Sequence, residues 1–375
     1  MRIAMIGQKG IPATYGGIEK HVEEVSAVLA ERGHTVYVYC RPYYTPERGD
    51  WRGVHLVSLP SIKTRHLDAA SHTMICTAHV LSLKADVVHY HALGPSALSW
   101  IPRLAGVRTV ATVHGLDWRG GKWGTAATWL LKRCEYAATH FPCETVVVSK
   151  VLKRYFEDKY ARPVCYIPNG VAPGARLEPA NIGRFGLSKG DYYLFVGRLG
   201  PEKGCHVLVE AFRNAKTSRK LAMVGSAHLN PAYEQKLRDL ADDRVVFTGE
   251  IHGDMLSELW NGAYAVVHPS LTEGMSLSLL EAMAYGKCVV VSDIPENTDV
   301  VEDGAVRFKV GDAQDLARVI SEIDGRLDLA AATGAKALER VRDEFSWGRV
   351  VDGLEAVYSG KGEQVRSLRP ERLSS

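Results

Sequence analysis

The sequence predicts an α/β protein made of two open, doubly wound parallel sheets facing across a cleft, one sheet in each half of the 375 residues. Three observations predict it. Apolar, β-rich runs alternate with longer stretches of helical period, the rhythm of βαβ units whose strands are buried on both faces. The length exceeds what one ordinary core fills, so two units of roughly 150 to 200 residues are expected. A Pro- and Gly-rich stretch without period, IPNGVAPGARLEPANIGRFGLSKGD (residues 167–191), breaks the rhythm near the middle and reads as a linker.

In chain order, RIAMIG is a first strand, GIEKHVEEVSAVLAERG a helix that stops at a glycine, and HTVYVYC the next strand. ADVVHY, VRTVATVHG and ETVVVSK follow as strands, each with a helix-like segment behind it. The boundary falls near residue 170. The second half repeats the pattern with DYYLFVGRL, RKLAMVG, RVVFTGE, AYAVVHPS and KCVVVSD, separated by helices such as MLSELWNGA and SLSLLEAMAYG. FSWGRVVDGLEAVY (345–358) has amphipathic helical spacing, and the polar residues 361–375 read as a mobile tail.

Composition narrows the function. The chain is 46% hydrophobic and 24% charged, with no apolar run near the roughly 18 residues that span a bilayer. The start, MRIAMIGQKG, meets polar residues before a signal-peptide core can form, so a cytoplasmic place is expected. Seven scattered cysteines show no zinc spacing and fit reduced thiols. Net charge is +3, but residues 1–170 carry 21 Lys and Arg against 13 Asp and Glu, while the rest carries 25 against 30. The basic half is expected to face an anionic surface or a phosphate-bearing ligand. Nucleic acid is not expected, because no lysine-rich tail or RNA-binding signature is present.

Open α/β sheets bind ligands where strands end, so the loops after strands carry the candidates. TEGMSLSLLEAMAYG (272–286) sets Glu273 and Glu281 eight residues apart. Eight residues advance about 800° on a continuous helix, 80° past two turns, so the two would not share a face. Placing Glu273 in the loop and starting the helix near Ser276 resolves this: the carboxylates then bracket a helix N-terminus. Free N–H groups of Gly274, Met275 and Ser276 suit phosphate oxygens, and the carboxylates suit hydroxyls. VGRLGPEKG (196–204) sets Arg198 and Lys203 at another strand exit, able to neutralise a diphosphate. QKGIPATYGGIEKH ends in Gly16 and Gly17 at a helix start, without the G-x-G-x-x-G spacing of a dinucleotide fingerprint. VHGLDWRGGKW (113–123) concentrates His114, Asp117, Trp118, Arg119, Lys122 and Trp123, a mix that can stack on sugar rings or meet a lipid interface. His89 and His91 lack such company and read as structural.

With these loops in hand, the sequence resembles the retaining, metal-independent glycosyltransferases of family 4, which have the GT-B architecture of two Rossmann-like domains. The resemblance covers roughly residues 1–358 and rests on the joint order of GGIE, VHG, IPNGV, GRLGPEKG, HPS and the glutamate pair in EGMSLSLLE. KGIPATYGGIEKHVEE and HGLDWRGGKWG are similar to a subgroup associated with rhamnosyl or other sugar transfer in bacterial surface-polysaccharide assembly. The resemblance implies an N-terminal acceptor domain (1–170), a C-terminal nucleotide-sugar domain (171–345), and a last helix near 346–360 returning to the first. It implies that Glu273 holds hydroxyls of the donor sugar, Glu281 the ribose, Arg198 and Lys203 the diphosphate, Gly17 the phosphates, and His114 the transferred sugar. Asp117, Trp118, Arg119 and Lys122 are the acceptor candidates. No metal and no cofactor are expected. The donor is a nucleoside-diphosphate sugar and the acceptor a saccharide or lipid-linked saccharide, met at the inner face of a membrane through Lys63, Arg65, Arg119, Lys122, Lys132, Arg133, Trp123 and Trp129. One departure is Met275-Ser276 where many relatives read F-G. The alternative is a sugar-nucleotide epimerase or hydrolase of the same fold.

Overall fold

The computed structural model describes residues 1–46, 49–64, 67–116, 118, 124–227 and 230–367. Their contacts separate two compact units, Met1–Gly170 with the segment from Trp347 onward, and Val171–Ser346. No helix of the described residues is long and apolar enough to cross a membrane.

The first unit is built on β1 (Arg2–Ile6), β2 (Thr35–Cys40), β3 (Gly49–Trp51), β4 (Val54–Ser58), β5 (Val87–His91), β6 (Arg108–Val113), β7 (Glu144–Val147) and β8 (Cys165–Tyr166). They lie in the order β3-β4-β2-β1-β5-β6-β7-β8, all parallel except β3, which runs against β4. The second unit holds β9 (Tyr192–Val196), β10 (Lys220–Val224), β11 (Val245–Gly249), β12 (Ala265–His268), β13 (Cys288–Ser292) and β14 (Val306–Phe308). These form one parallel sheet in the order β11-β10-β9-β12-β13-β14. β5 and β13 are buried at every residue, as strands covered by helices on both faces must be. Both units are therefore α/β and doubly wound, the class the sequence predicts.

Each winding order reverses once, between β1 and β5 in the first unit and between β9 and β12 in the second. At such a reversal the connections leave in opposite directions and open a crevice beyond the carboxyl ends of the strands. Two glycine contacts hold the strand exits close. A Cβ at Gly7, where φ is +119°, would lie 2.3 Å from the His91 carbonyl oxygen, and one at Gly225, where φ is +138°, 1.9 Å from that of Gly197.

Three segments differ from the sequence reading. β3 and β4 leave no apolar run, because β3 is short and β4 is half-buried along most of its length. The stretch read as a linker is fastened to the second unit: Glu258 accepts from the Asn181 backbone and side-chain N–H groups at 2.6 and 2.7 Å, and Ile182 is buried. The polar tail is helical over Gly362–Ser367, with Arg366 paired to Glu144 and Val365 buried, so its charges are used in packing. Residues 368–375 lie outside the described part.

Helix Trp347–Tyr358 packs within the first unit against helix Gly17–Glu31 and the turn after it. Arg32 bonds Asp352 and Glu355 at 2.7 and 2.6 Å, and His34 lies 2.7 Å from Glu355. Its Tyr358 hydroxyl reaches the buried His89 ring at 2.7 Å.

Candidate active site

In the second unit the sheet reversal brings together two loops some seventy residues apart in sequence. β9 runs into Gly197–Gly204 and β12 into Pro269–Ser276, and because the strands are neighbours the loops meet: the Leu271 N–H donates to the Glu202 carbonyl at 2.9 Å. Gly204 takes φ +65°, and a Cβ there would lie 2.0 Å from the Pro269 carbonyl oxygen, so only glycine permits this approach.

At the junction Lys203 Nζ donates to Glu273 Oε1 at 2.5 Å. The same oxygen accepts from Ser270 Oγ at 2.7 Å and lies 3.3 Å from His268 Nε2. Burial acts to raise the Glu273 pKa, but the Lys203 charge and the His268 contact outweigh it and hold the carboxyl well below its usual range. Glu273 is thus a fixed anion, only 8% exposed, whose contacts among the described residues fall on Oε1, leaving Oε2 for another donor. An anion this stable is a hydrogen-bond acceptor for hydroxyls rather than a general acid.

Ser276 caps helix Leu277–Ala284: its Oγ accepts from the Leu279 N–H, and its backbone is extended. The Glu273 loop precedes the cap and Glu281 rides the helix itself, as the angular argument from the sequence requires. Gly274, Met275 and Ser276 form the approach to the N-terminus, where the helix dipole favours an anion. Arg198 is 47% exposed and is paired with Glu202 rather than standing as an isolated cation.

Sequence reasoning missed four participants here. His268 and Ser270 grip Glu273, and Ser292 at the end of β13 donates to the Ser270 carbonyl at 2.5 Å, with Asn297 behind it. The HPS triplet directly after a strand was the available signal. It also missed that Lys203 is the partner of Glu273, since only the strand order makes them adjacent.

In the first unit the reversal gathers histidines. β5 and β6 pair with His91 opposite Thr112, so His114, two residues further on, stands beside His91: His91 Nδ1 and His114 Nε2 are 3.2 Å apart. His21, from helix Gly17–Glu31, packs on both, with ring centroids 5.7 Å from His91 and 4.8 Å from His114. Its Nδ1 meets Asn169 Oδ1 at 2.9 Å. His89 is held by Tyr358 and by Thr112 Oγ1, the latter at 2.6 Å. The reading of His91 as lacking company is therefore corrected, because strand pairing supplies neighbours that spacing along the chain does not show. Burial pushes all four rings toward the neutral form, His21 to about 4 and His89 to about 3. Neutral imidazoles offer lone pairs and N–H donors but no charge.

Gly17 opens its helix and is exposed, with Gly16 at φ +103° before it. Trp118 is anchored from below: its Nε1 donates to Glu135 Oε2 at 2.7 Å, while Glu135 Oε1 takes Lys159 at 2.6 Å, Tyr160 at 2.7 Å and Tyr155 at 3.0 Å. Asp117, Arg119, Lys122 and Trp123 lie outside the described residues, as does Arg65. Trp129 is 60% exposed on helix Thr125–His140, with Arg133 over its ring.

Comparison with known proteins follows the two units. Residues 15–174 match the family model described as Glycosyltransferase Family 4, and residues 190–323 match Glycosyl transferases group 1. The chain is 30% identical to D-inositol 3-phosphate glycosyltransferase of Geodermatophilus obscurus, over 93% of this chain and 86% of that protein. It is 26% identical to phosphatidyl-myo-inositol mannosyltransferase of Mycobacterium leprae, over 98% and 100%. Among solved structures, Anabaena HepE in complex with UDP-glucose superposes with a TM-score of 0.78 at 18% identity, covering 96% of this chain and 100% of that one. Two doubly wound units, the two family matches and similarity over most of the length agree: the chain belongs to glycosyltransferase family 4 and has the GT-B fold.

Proposed function

We propose that this glycosyltransferase moves a sugar, with retention of configuration and without a metal, from a nucleoside-diphosphate sugar to a hydroxyl of a saccharide or lipid-linked saccharide. The product would enter cell-surface polysaccharide or glycoconjugate. The observation that carries this reading is the buried anion Glu273, fixed by Lys203 and Ser270 beside the capped N-terminus of helix Leu277–Ala284. A hydroxyl acceptor next to an anion-binding helix end is what a sugar diphosphate needs.

In this reading Glu273 Oε2 holds hydroxyls of the donor sugar and Glu281 those of the ribose. The N–H groups of Gly274, Met275 and Ser276 cradle the diphosphate. Arg198 exchanges Glu202 for the same group, and Lys203 neutralises it as charge builds on the leaving oxygen, the task a metal performs elsewhere. Gly17 lets phosphate approach its helix, and His114 donates to the transferred sugar. No side chain is required as nucleophile: the departing diphosphate oxygen takes the proton of the incoming hydroxyl on the same face. HepE binds UDP-glucose, which makes uridine diphosphate sugars the first donors to try.

The acceptor is met by the first unit through Trp118, with Asp117, Arg119 and Lys122 its near neighbours in sequence. The lipid-linked class is supported by the mannosyltransferase relative, whose acceptor is a phosphatidyl-inositol, and by exposed Trp129 with Lys132 and Arg133 on one helix. Such a chain would work as a cytoplasmic enzyme at the inner face of a membrane.

A thermal-shift screen of nucleoside diphosphates and their sugars tests the donor half. A specific ligand at 100 times its dissociation constant adds about 2.7 kcal/mol of stability. No shift with any nucleotide would remove the reading. Incubating the stabilising donor with and without saccharide acceptors separates transfer from hydrolysis or epimerisation, which need no acceptor.

A further inference from the structure

We propose that His21, His91 and His114 form a binding site for a divalent transition-metal ion, with zinc as the type ligand. The three rings come from separate elements, helix Gly17–Glu31, the end of β5 and the exit of β6, and meet at the sheet reversal of the first unit. One ring nitrogen from each lies within 4.8 Å of the other two. His91 Nδ1 and His114 Nε2 are already 3.2 Å apart, close to the roughly 3.3 Å between two ligands of a tetrahedral zinc with bonds of about 2.0–2.1 Å.

The tautomer of His21 is arranged for ligation. Asn169 Oδ1 can only accept, so the proton sits on Nδ1 and the lone pair on Nε2, the outer support that metal-binding histidines ordinarily have. That Nε2 is buried without a hydrogen-bond partner among the described residues. His21 is 2% exposed, so the atom is not satisfied by bulk water. An orphaned ring nitrogen in a buried group is a cost that hydrogen bonding among the described residues leaves unrelieved. An ion ligated by imidazole removes it. Among the described residues the group contains no carboxylate, which disfavours magnesium, calcium and manganese and favours zinc, nickel, cobalt or copper. Three protein ligands leave a fourth position open to water or another small ligand.

This site is separate from the charge neutralisation assigned to Arg198 and Lys203. Resting on the placement of His114 at the transferred sugar, it implies that the ion and the sugar compete for one ring, so zinc inhibits transfer and a chelator restores it.

The test is a titration of the tag-free, chelator-stripped chain with Co2+, followed by visible absorption. One ion per chain with the intense band of tetrahedral cobalt, displaced by zinc, is the expected result; no saturable binding, or the faint spectrum of six-coordinate cobalt, overturns the site. His21→Gln and His91→Gln are each expected to weaken binding by on the order of 100-fold, and unchanged affinity in both overturns it. Should either variant fail to fold, X-ray absorption on the zinc-loaded wild type counts the imidazoles: three support the site and fewer sink it. Nucleoside diphosphate binding is measured on the same metal-free sample. Its absence beside intact cobalt binding would refute the donor reading alone.

Discussion

Glu273 is the residue on which most rests, and its surroundings give two separable consequences for one substitution. Glu273→Gln keeps the shape but removes the charge that Lys203 faces at 2.5 Å. Turnover is expected to fall by on the order of 10² to 10³, the scale of losing one preorganised electrostatic contact. Stability is expected to fall by about 2 kcal/mol, as for a hydrogen bond to a charged group. Steady-state kinetics and a thermal melt read the two effects; wild-type turnover in a folded variant would remove Glu273 from the donor site. The sequence showed this glutamate and its displacement from the helix, because an 80° mismatch on a helical wheel needs no structure. It could not show His268, Ser270 or Lys203 as its partners. Those contacts depend on which strands are neighbours, a property of the whole sheet.

At the scale of elements, caps and strand exits set the site. Ser276 is the single side chain that closes the N-terminus of helix Leu277–Ala284, and Ser276→Ala is expected to cost about 1 kcal/mol. Urea unfolding measures it, and no change in midpoint would show that the Oγ contact contributes nothing. Gly204 is the tighter constraint. Gly204→Ala forces a Cβ against the Pro269 carbonyl at positive φ, so the β9 and β12 loops must part and Lys203 must leave Glu273. The expected signature is loss of nucleotide-induced stabilisation with the fold retained, seen by thermal shift and circular dichroism. Strands with continuous apolar runs were legible in the sequence. β3, β4, β8 and β14 were not, since short or half-buried strands leave no run to find. The histidine group was hidden for a related reason: His91 and His114 are neighbours only through the register of β5 on β6.

For the molecule as a whole, acid should act on the two units at different pH. His72 in the first unit is held neutral, its pKa lowered to about 4 by burial and then by Arg41. A histidine with a depressed folded-state pKa stabilises fully above its ordinary value near 6.5, and that stability drains as pH falls toward 4, at up to about 1.4 kcal/mol per pH unit. Glu273 in the second unit is depressed too, but for a carboxyl this means stability present above its ordinary value near 4.5 and lost only below it. Hydrogen exchange from pH 7 to 4.5 should therefore show the first unit losing protection before the second. Simultaneous loss would contradict the assignment. The sequence places the division near residue 170, where composition changes, and the fold class followed from rhythm together with length and the Pro- and Gly-rich break.

Helix Trp347–Tyr358 has one more implication, for biogenesis. Because it completes the unit that holds Met1–Gly170, the second unit is contiguous while the first is assembled from segments on either side of it in the chain. Val171–Ser346 has all its strands available before that helix emerges; Met1–Gly170 waits with the surfaces around Arg32, His34 and His89 uncovered until then. A nascent chain halted at Ser346 and released should thus resist protease over residues 171–346 and be cut within residues 1–170, the reverse of the order in which the ribosome made them.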